Sequence, residues 1–169
     1  MEIQKILFPV DLAGSSYKVV PQVSSIIDRF QAELHLLFVL ESLKGYNTFS
    51  VPHPSLDIFE KEEERRAKRQ LEEFAEKYFY DIPKLELVIL RGGIVGQILD
   101  YIDTAGIDMV IVTSHERQGL QRAIFGNTAE EIIRRSSAPV TVINPYVERI
   151  EPRVSVHLAH VTTSPDQLS

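Results

Sequence analysis

Five short apolar segments recur along the chain, with four amphipathic segments between them. The apolar runs are typical of strands buried on both faces of a sheet, and they occupy residues 6–10, 33–40, 85–90, 109–112 and 140–143. Apolar side chains at helical spacing predict helices over about 18–30, 56–80, 94–102 and 128–137. Strict alternation of strand and helix predicts an α/β fold, with a parallel sheet and helices on both faces.

The segment 110–130 contains the most informative pattern in this sequence. An apolar run through Val112 ends in a polar loop, and the loop passes through Gly126 into an amphipathic helix. A strand, a loop and a helix N-terminus in this order are how α/β proteins build anion sites. Thr128 and Glu131 also fit a capping box at the start of that helix. We therefore expect a ligand site beyond the carboxyl ends of the strands, where the strand order reverses.

The longest helix and the loop before it are less specific. The loop, residues 42–55, is longer than usual for a compact domain, which fits a lid, a partner contact or a plain insertion. The charged run 60–69 favours a solvated helix face over a binding patch. The inner face of this helix is predicted to comprise Phe59, Ala67, Leu71, Phe74, Ala75 and Tyr78.

Composition narrows the possible functions. The 169 residues are enough for one domain with a full core. The formal net charge of −6 argues against non-specific nucleic-acid binding, which needs a basic face. The chain has no cysteine, which excludes disulfides, thiolate catalysis and cysteine-type zinc sites.

The two ends of the chain bear on localisation and on the division into domains. The N-terminal residues lack the pattern of a signal peptide, and no apolar run approaches the length of a membrane span. We therefore expect a cytoplasmic protein without membrane contact. We divide the chain into a domain, residues 1–145, and a C-terminal extension, residues 146–169, which could add a strand to the domain or to a partner subunit.

Two stretches of the sequence resemble the universal stress protein family. The first strand ends in Pro9-Val10-Asp11 before a serine-rich cap, and the segment from Ser114 through Gly126 to Val140 matches the family's closing motif. The resemblance covers residues 3–144. It implies a Rossmann-like fold, related to adenine nucleotide alpha hydrolases, with strand order 3-2-1-4-5. It also implies a homodimer through the last strand, Val140–Ile143, which would otherwise be an exposed apolar edge.

The resemblance further implies an adenine-nucleotide site for ATP or AMP, with magnesium bound only alongside ATP. The glycine signature of the family's nucleotide-binding branch falls on Thr113, Glu116, Gly126 and Asn127, of which only Gly126 is kept. The part of the family's nucleotide site that contacts adenosine is better preserved in this sequence. The implied nucleotide-binding residues are Pro9, Asp11, Val39, Thr113, Ser114, His115, Glu116, Gly126, Asn127 and Thr128.

Because two signature glycines are missing, the sequence does not decide whether a nucleotide binds. Glycines allow backbone N–H groups to approach phosphate closely. The Glu116 carboxylate adds a like charge, which costs roughly 3 kcal/mol at about 5 Å and an effective dielectric near 20. Arg117 and Arg122 offset this cost if they point inward.

Two functions therefore remain. One is a stress-response homodimer that binds an adenine nucleotide as a regulatory module. The alternative is a protein-interaction module of the same fold that binds no nucleotide. A hydrolase is disfavoured because the sequence shows no nucleophile–base pair, no Walker motif and no metal cluster, so no catalytic or metal-binding residue is predicted.

Overall fold

The computed structural model describes residues 2–12, 16–41, 54–114 and 127–146. The five strands are β1 (Lys5–Pro9), β2 (Glu33–Leu40), β3 (Leu85–Arg91), β4 (Met109–Thr113) and β5 (Val140–Ile143). A short 3₁₀ helix, Ser16–Val19, leads into α1 (Val20–Phe30), and the other helices are α2 (Pro54–Tyr78), α3 (Ile94–Ala105) and α4 (Asn127–Arg135). The predicted elements are all present.

All strand pairs in the sheet are parallel, and the strand order is β3-β2-β1-β4-β5. This confirms the expected fold and the expected order. β1 lies at the centre, where Leu7 pairs with His35 of β2 on one side and with Val110 of β4 on the other. The chain winds outward from β1 in both directions, so the strand order reverses between β1 and β4.

Alternate side chains of the strands enter two separate apolar layers. On one face the sheet packs against α1 and α2, through a layer that includes Ile6, Phe8, Leu34, Leu36, Ile111, Val23, Ile27, Leu71, Ala75 and Phe79. On the other face it packs against α3 and α4, through Leu7, Leu37, Val110, Val112, Ile98, Ile102, Ala129 and Ile132. Burial on both faces explains why the central strands β1, β2 and β4 are nearly continuous apolar runs rather than alternating ones.

The first turns of α2 differ from the sequence prediction. The helix begins at Pro54, so the end of the predicted 42–55 loop is helical, and residues 42–53 lie outside the described part. Phe59 is 52% exposed instead of facing the core. A helix of 25 residues is about 37 Å long, whereas the seven residues of β3 span about 23 Å. The sheet therefore covers only part of the helix.

The connection from α3 to β4 attaches the start of β4 to the start of β1. Gly106 adopts φ 64°, and its N–H donates to the Ile102 carbonyl, which ends α3 in the left-handed conformation that glycine tolerates. The Asp108 carboxylate then accepts hydrogen bonds from the backbone N–H groups of Gln4 and Lys5, both at 2.9 Å. These bonds align the starts of β1 and β4, and hence their carboxyl ends.

No helix in the described segments is long and apolar enough to cross a membrane. The cytoplasmic location stays a prediction. The proposed division at residue 145 also stays a prediction, because residues 147–169 lie outside the described part of the chain.

Candidate functional site

A cavity of about 430 Å³ lies at the carboxyl end of β1, where the strand order reverses. This is the position at which open α/β sheets bind their ligands. Its described walls consist of Pro9, Val10, Asp11, Ser16, Leu37, Phe38, Val39, Ile94, Ile98, Val112, Thr113, Asn127, Thr128, Ala129 and Ile132. Its volume falls within the range of small-molecule sites.

The cavity brings together six of the predicted site residues, which come from four separate parts of the sequence. They are Pro9, Asp11, Val39, Thr113, Asn127 and Thr128. Ser114 does not line the cavity: it is 2% exposed, and its hydroxyl has no hydrogen-bond partner among the described residues. His115, Glu116 and Gly126 lie outside the described residues, so their predicted roles stay predictions.

Main-chain groups of two strands face the gap above β1. The Leu37 carbonyl accepts a hydrogen bond from the Val10 N–H at 2.9 Å, so the polar backbone atoms of Leu37, and by alternation those of Val39, point toward β1. β1 ends at Pro9, opposite Leu37. The backbone N–H and C=O of Val39 therefore extend beyond the paired part of β1, into the cavity.

Thr113 approaches the same gap from β4. The Ser114 N–H donates to the Ile143 carbonyl at 3.0 Å, on the β5 side, so the backbone groups of Thr113 face β1. Its side chain lies on the same face of β4 as that of Ile111, which packs in the layer of α1 and α2. The β-branched side chain of Thr113 therefore points away from most of the cavity wall, which belongs to the opposite face.

The turn after β1 is held by a side-chain hydrogen bond. The buried Ser16 hydroxyl accepts from the Asp11 N–H at 2.9 Å, while the Asp11 side chain is exposed at the cavity rim. This bond fixes the direction in which the chain leaves the sheet. Ser16 was absent from the predicted site, although the serine-rich cap that follows Asp11 was the signal for it.

Helices α3 and α4 supply the apolar wall and one polar end. Ile94 and Ile98 come from the first two turns of α3, and Ala129 and Ile132 come from α4. Apolar periodicity predicts the helices that carry these isoleucines, but it does not distinguish a core face from a cavity wall. Thr128 lies in the first turn of α4, which begins at Asn127, and the capping box of Thr128 and Glu131 stays a prediction.

This arrangement suits a small molecule with a flat apolar part and a polar end. The isoleucines offer an apolar surface, the backbone groups of Val39 and Thr113 offer donors and acceptors, and the first turn of α4 offers a positive helix end. Within the described segments there is no cluster of three or more His, Cys, Asp or Glu side chains that could hold a metal ion.

Fold and cavity together define an open, parallel α/β protein with a cavity at its topological switch point. A model of the universal stress protein family matches residues 2–144. The chain belongs to this family, which confirms the resemblance found in the sequence.

Relatives and solved structures agree with this assignment. Universal stress protein MJ0531 of Methanocaldococcus jannaschii is 23% identical over 145 residues, covering 83% of this chain and 81% of the relative. MJ0577 of the same organism is 26% identical over 153 residues, covering 83% and 94%, and its structure superposes with a TM-score of 0.66 over 85% of this chain and 97% of that one.

Two further structures share the fold. Universal stress protein UspA of Lactobacillus plantarum has a TM-score of 0.62 at 23% identity, covering 85% of this chain and 99% of its own. A universal stress protein in complex with cAMP has a TM-score of 0.62 at 15% identity, covering 86% and 99%.

Proposed function

We propose that this protein is a stress-response regulatory module that binds an adenine nucleotide in the cavity above β1. The observation that carries the proposal is the position of the Val39 and Thr113 backbone groups, which enter the cavity from two strands. A purine ring presents hydrogen-bond donors and acceptors along its edge, and Ile94 and Ile98 offer an apolar surface for its face. The related fold in complex with cAMP supports the same class of ligand.

The proposed role is binding without turnover. The polar side chains of the described walls are the Asp11 carboxylate, the Asn127 amide and the hydroxyls of Ser16, Thr113 and Thr128. No histidine, lysine or cysteine stands among them to act as a base or a nucleophile. Magnesium would enter only with ATP, bound through the phosphates.

We also propose that two copies of the chain pair through β5. This strand lies at an edge of the sheet, with β4 on one side, and its four residues are half-buried. Antiparallel pairing with the same strand of a second copy would satisfy its outward backbone groups and cover its apolar side chains.

Titration calorimetry tests nucleotide binding directly. We expect adenosine, cAMP, AMP or ATP to bind at one site per chain. Ile94→Trp should fill the cavity and weaken binding at least tenfold. Ile133→Trp is the matched control, because Ile133 is 42% exposed on α4 and does not line the cavity. Thermal melting of both variants checks that they fold.

Absence of heat and of thermal stabilisation with all four compounds would reject nucleotide binding and favour the protein-interaction module. Sustained phosphate release from ATP, lost in Asp11→Ala, would show instead that the cavity is catalytic.

A further inference from the structure

A buried polar contact between β2 and α3 lies next to the cavity. Leu37 of β2 and Ile98 of α3 both line the cavity. His35 precedes Leu37 by two residues, and therefore shares its face of the sheet, while Tyr101 follows Ile98 by about one turn of α3. The Nδ1 atom of His35 lies 2.8 Å from the Tyr101 hydroxyl. This pair thus forms the layer below the cavity, between the same strand and the same helix.

The contact and the cavity are close enough to affect each other. Two residues of a strand span about 7 Å, and three residues of a helix span about 4.5 Å. Because protein interiors are close-packed and transmit strain, the separation of β2 and α3 at the contact helps to fix their separation at the cavity. The last residue of α3 is attached to the sheet as well, since the Lys5 ammonium of β1 donates to the Ala105 carbonyl at 3.0 Å.

Proton uptake by His35 would disturb this contact. The Glu33 carboxylate, 3.5 Å from Nε2, favours the neutral tautomer in which Nε2 carries the proton and Nδ1 accepts from Tyr101. In the imidazolium form both ring nitrogens carry protons, so the Tyr101 hydroxyl can no longer donate to Nδ1 and has to rotate. His35 is also only 4% exposed, and a buried charge is costly unless it is well paired. The charged ring therefore favours a looser packing of α3 against the sheet.

The charged groups around His35 do not compensate for its burial. Glu33 of β2 and Glu86 of β3 raise the pKa of His35, but burial lowers it by more, and Lys5 of β1 acts in the same direction as burial. Glu86 lies on the exposed surface and Glu33 is half-buried, so that water screens both carboxylates. The ionisable group of α3 at this contact is Tyr101, whose pKa is raised by burial. Its hydroxyl therefore stays neutral.

We infer that His35 and Tyr101 position the α3 wall of the cavity, and that proton uptake by His35 weakens ligand binding there. The inference rests on the proposed function and adds a mode of regulation to the same site. A ligand held between β2 and α3 favours the packed form of the contact, in which His35 is neutral. By linkage the bound ligand and the proton then oppose each other. Affinity should be highest at neutral pH and fall as the pH drops below about 6.5.

Calorimetric titrations of the full chain between pH 7 and pH 5 test this coupling. Adenosine and cAMP are the probes, because neither carries a phosphate monoester, which would itself titrate in this range. We expect the wild type to bind about fivefold more weakly at pH 5 than at pH 7, the lower end of typical coupling between sites. Binding should also release protons, detected as heat that differs between buffers. His35→Gln should show neither effect.

Matched variants separate this contact from other sources of pH dependence. His160→Gln makes the same exchange in the C-terminal extension and should keep the wild-type pH dependence. Tyr101→Phe removes one hydroxyl and should lower both the affinity at pH 7 and its pH dependence. Tyr80→Phe is the control for that exchange, because Tyr80 is 81% exposed and does not line the cavity. Circular dichroism checks at each pH that every variant is folded.

The outcomes distinguish the inference from the proposed function. Binding of a probe with equal affinity from pH 7 to pH 5 would overturn the inference and leave the proposed function standing. Full pH dependence in His35→Gln, or its loss in His160→Gln, would overturn the inference in the same way. Absence of binding by both probes would also overturn it, and the proposed function would fall with it if AMP and ATP did not bind either.

Discussion

The Nδ1 atom of His35 lies 2.8 Å from the hydroxyl of Tyr101, which joins β2 to α3 through a buried polar contact. His35 is 4% exposed, and its Nε2 atom faces the Glu33 carboxylate at 3.5 Å. The carboxylate favours the tautomer that carries the proton on Nε2, so that the tyrosine hydroxyl donates to Nδ1. The contact fixes α3 against the sheet in the layer that also contains the cavity.

We expect His35 to make stability depend on pH. Burial lowers the pKa of His35 below its ordinary value, with Lys5 acting in the same direction and Glu33 and Glu86 opposing it. The unfolded chain therefore takes up the proton first as the pH falls through about 6.5. The free energy of unfolding should decrease from pH 7 to pH 5, as measured by urea denaturation.

Two variants separate titration from packing at this contact. His35→Gln cannot titrate, so its stability should change less between pH 7 and pH 5. Tyr101→Phe leaves the buried Nδ1 without its donor and should cost about 1–3 kcal/mol at neutral pH. Identical pH profiles for the wild type and His35→Gln would rule out His35 as the source.

The layer between α2 and the sheet should dominate stability. Leu71 is 1% exposed in this layer, and Leu71→Ala should cost about 2–5 kcal/mol through lost burial and the cavity that remains. Leu87→Ala removes the same atoms from a residue that is 36% exposed on β3 and should cost less than about 1 kcal/mol. Chemical denaturation of both variants gives the comparison, and equal losses would contradict it.

The proposed dimer depends on the main chain of β5. Since the Ile143 carbonyl accepts from Ser114 on the β4 side, the N–H of Val142 points outward. Val142→Pro should remove this donor and produce monomers. Val142→Ala keeps the donor and should remain dimeric.

Light scattering after size exclusion reads out both variants. The wild type should have twice the chain mass of 19.2 kDa. A wild-type mass of one chain at every concentration would refute the dimer without reference to the variants.

The sequence prediction for Glu116 concerns phosphate binding. Removing a like charge worth roughly 3 kcal/mol should raise the affinity for ATP about a hundredfold in Glu116→Gly. Glu116→Gln removes the charge and keeps the bulk, so it isolates the electrostatic part. Calorimetry with ATP and adenosine measures both. Unchanged ATP affinity in the two variants would show that this carboxylate does not act on the phosphates.

Much of the fold was readable from the sequence because the central strands are buried on both faces. β2 and β5 occupy the predicted residues, because short, mostly apolar runs bounded by turn and polar residues mark strands clearly. The errors lie where tertiary structure decides. Phe59 fits the helical period of α2 but lies on turns that the sheet does not cover. Phe79, just after the helix, packs edge-on against Phe8, with 6.4 Å between the ring centroids.

Only part of the site was readable from the sequence. Asp11 and Val39 were identified through the family resemblance, which carries information about strand ends that are distant in sequence but close in space. Ile94 and Ile98 were missed as cavity residues because their apolar spacing is the same in a core and in a binding wall. The Val39 backbone groups lie beyond the paired part of β1, and no local sequence pattern encodes the residue at which β1 ends.

The early end of β1 has a consequence for how this protein tolerates sequence change. The proposed recognition by the N–H and C=O of Val39 and Thr113 would use atoms that every residue except proline possesses. Side chains at these two positions could then be exchanged while the hydrogen-bonding edge remains, as long as β1 still stops at Pro9. A site of this kind would depend on the course of the backbone more than on the identity of the side chains.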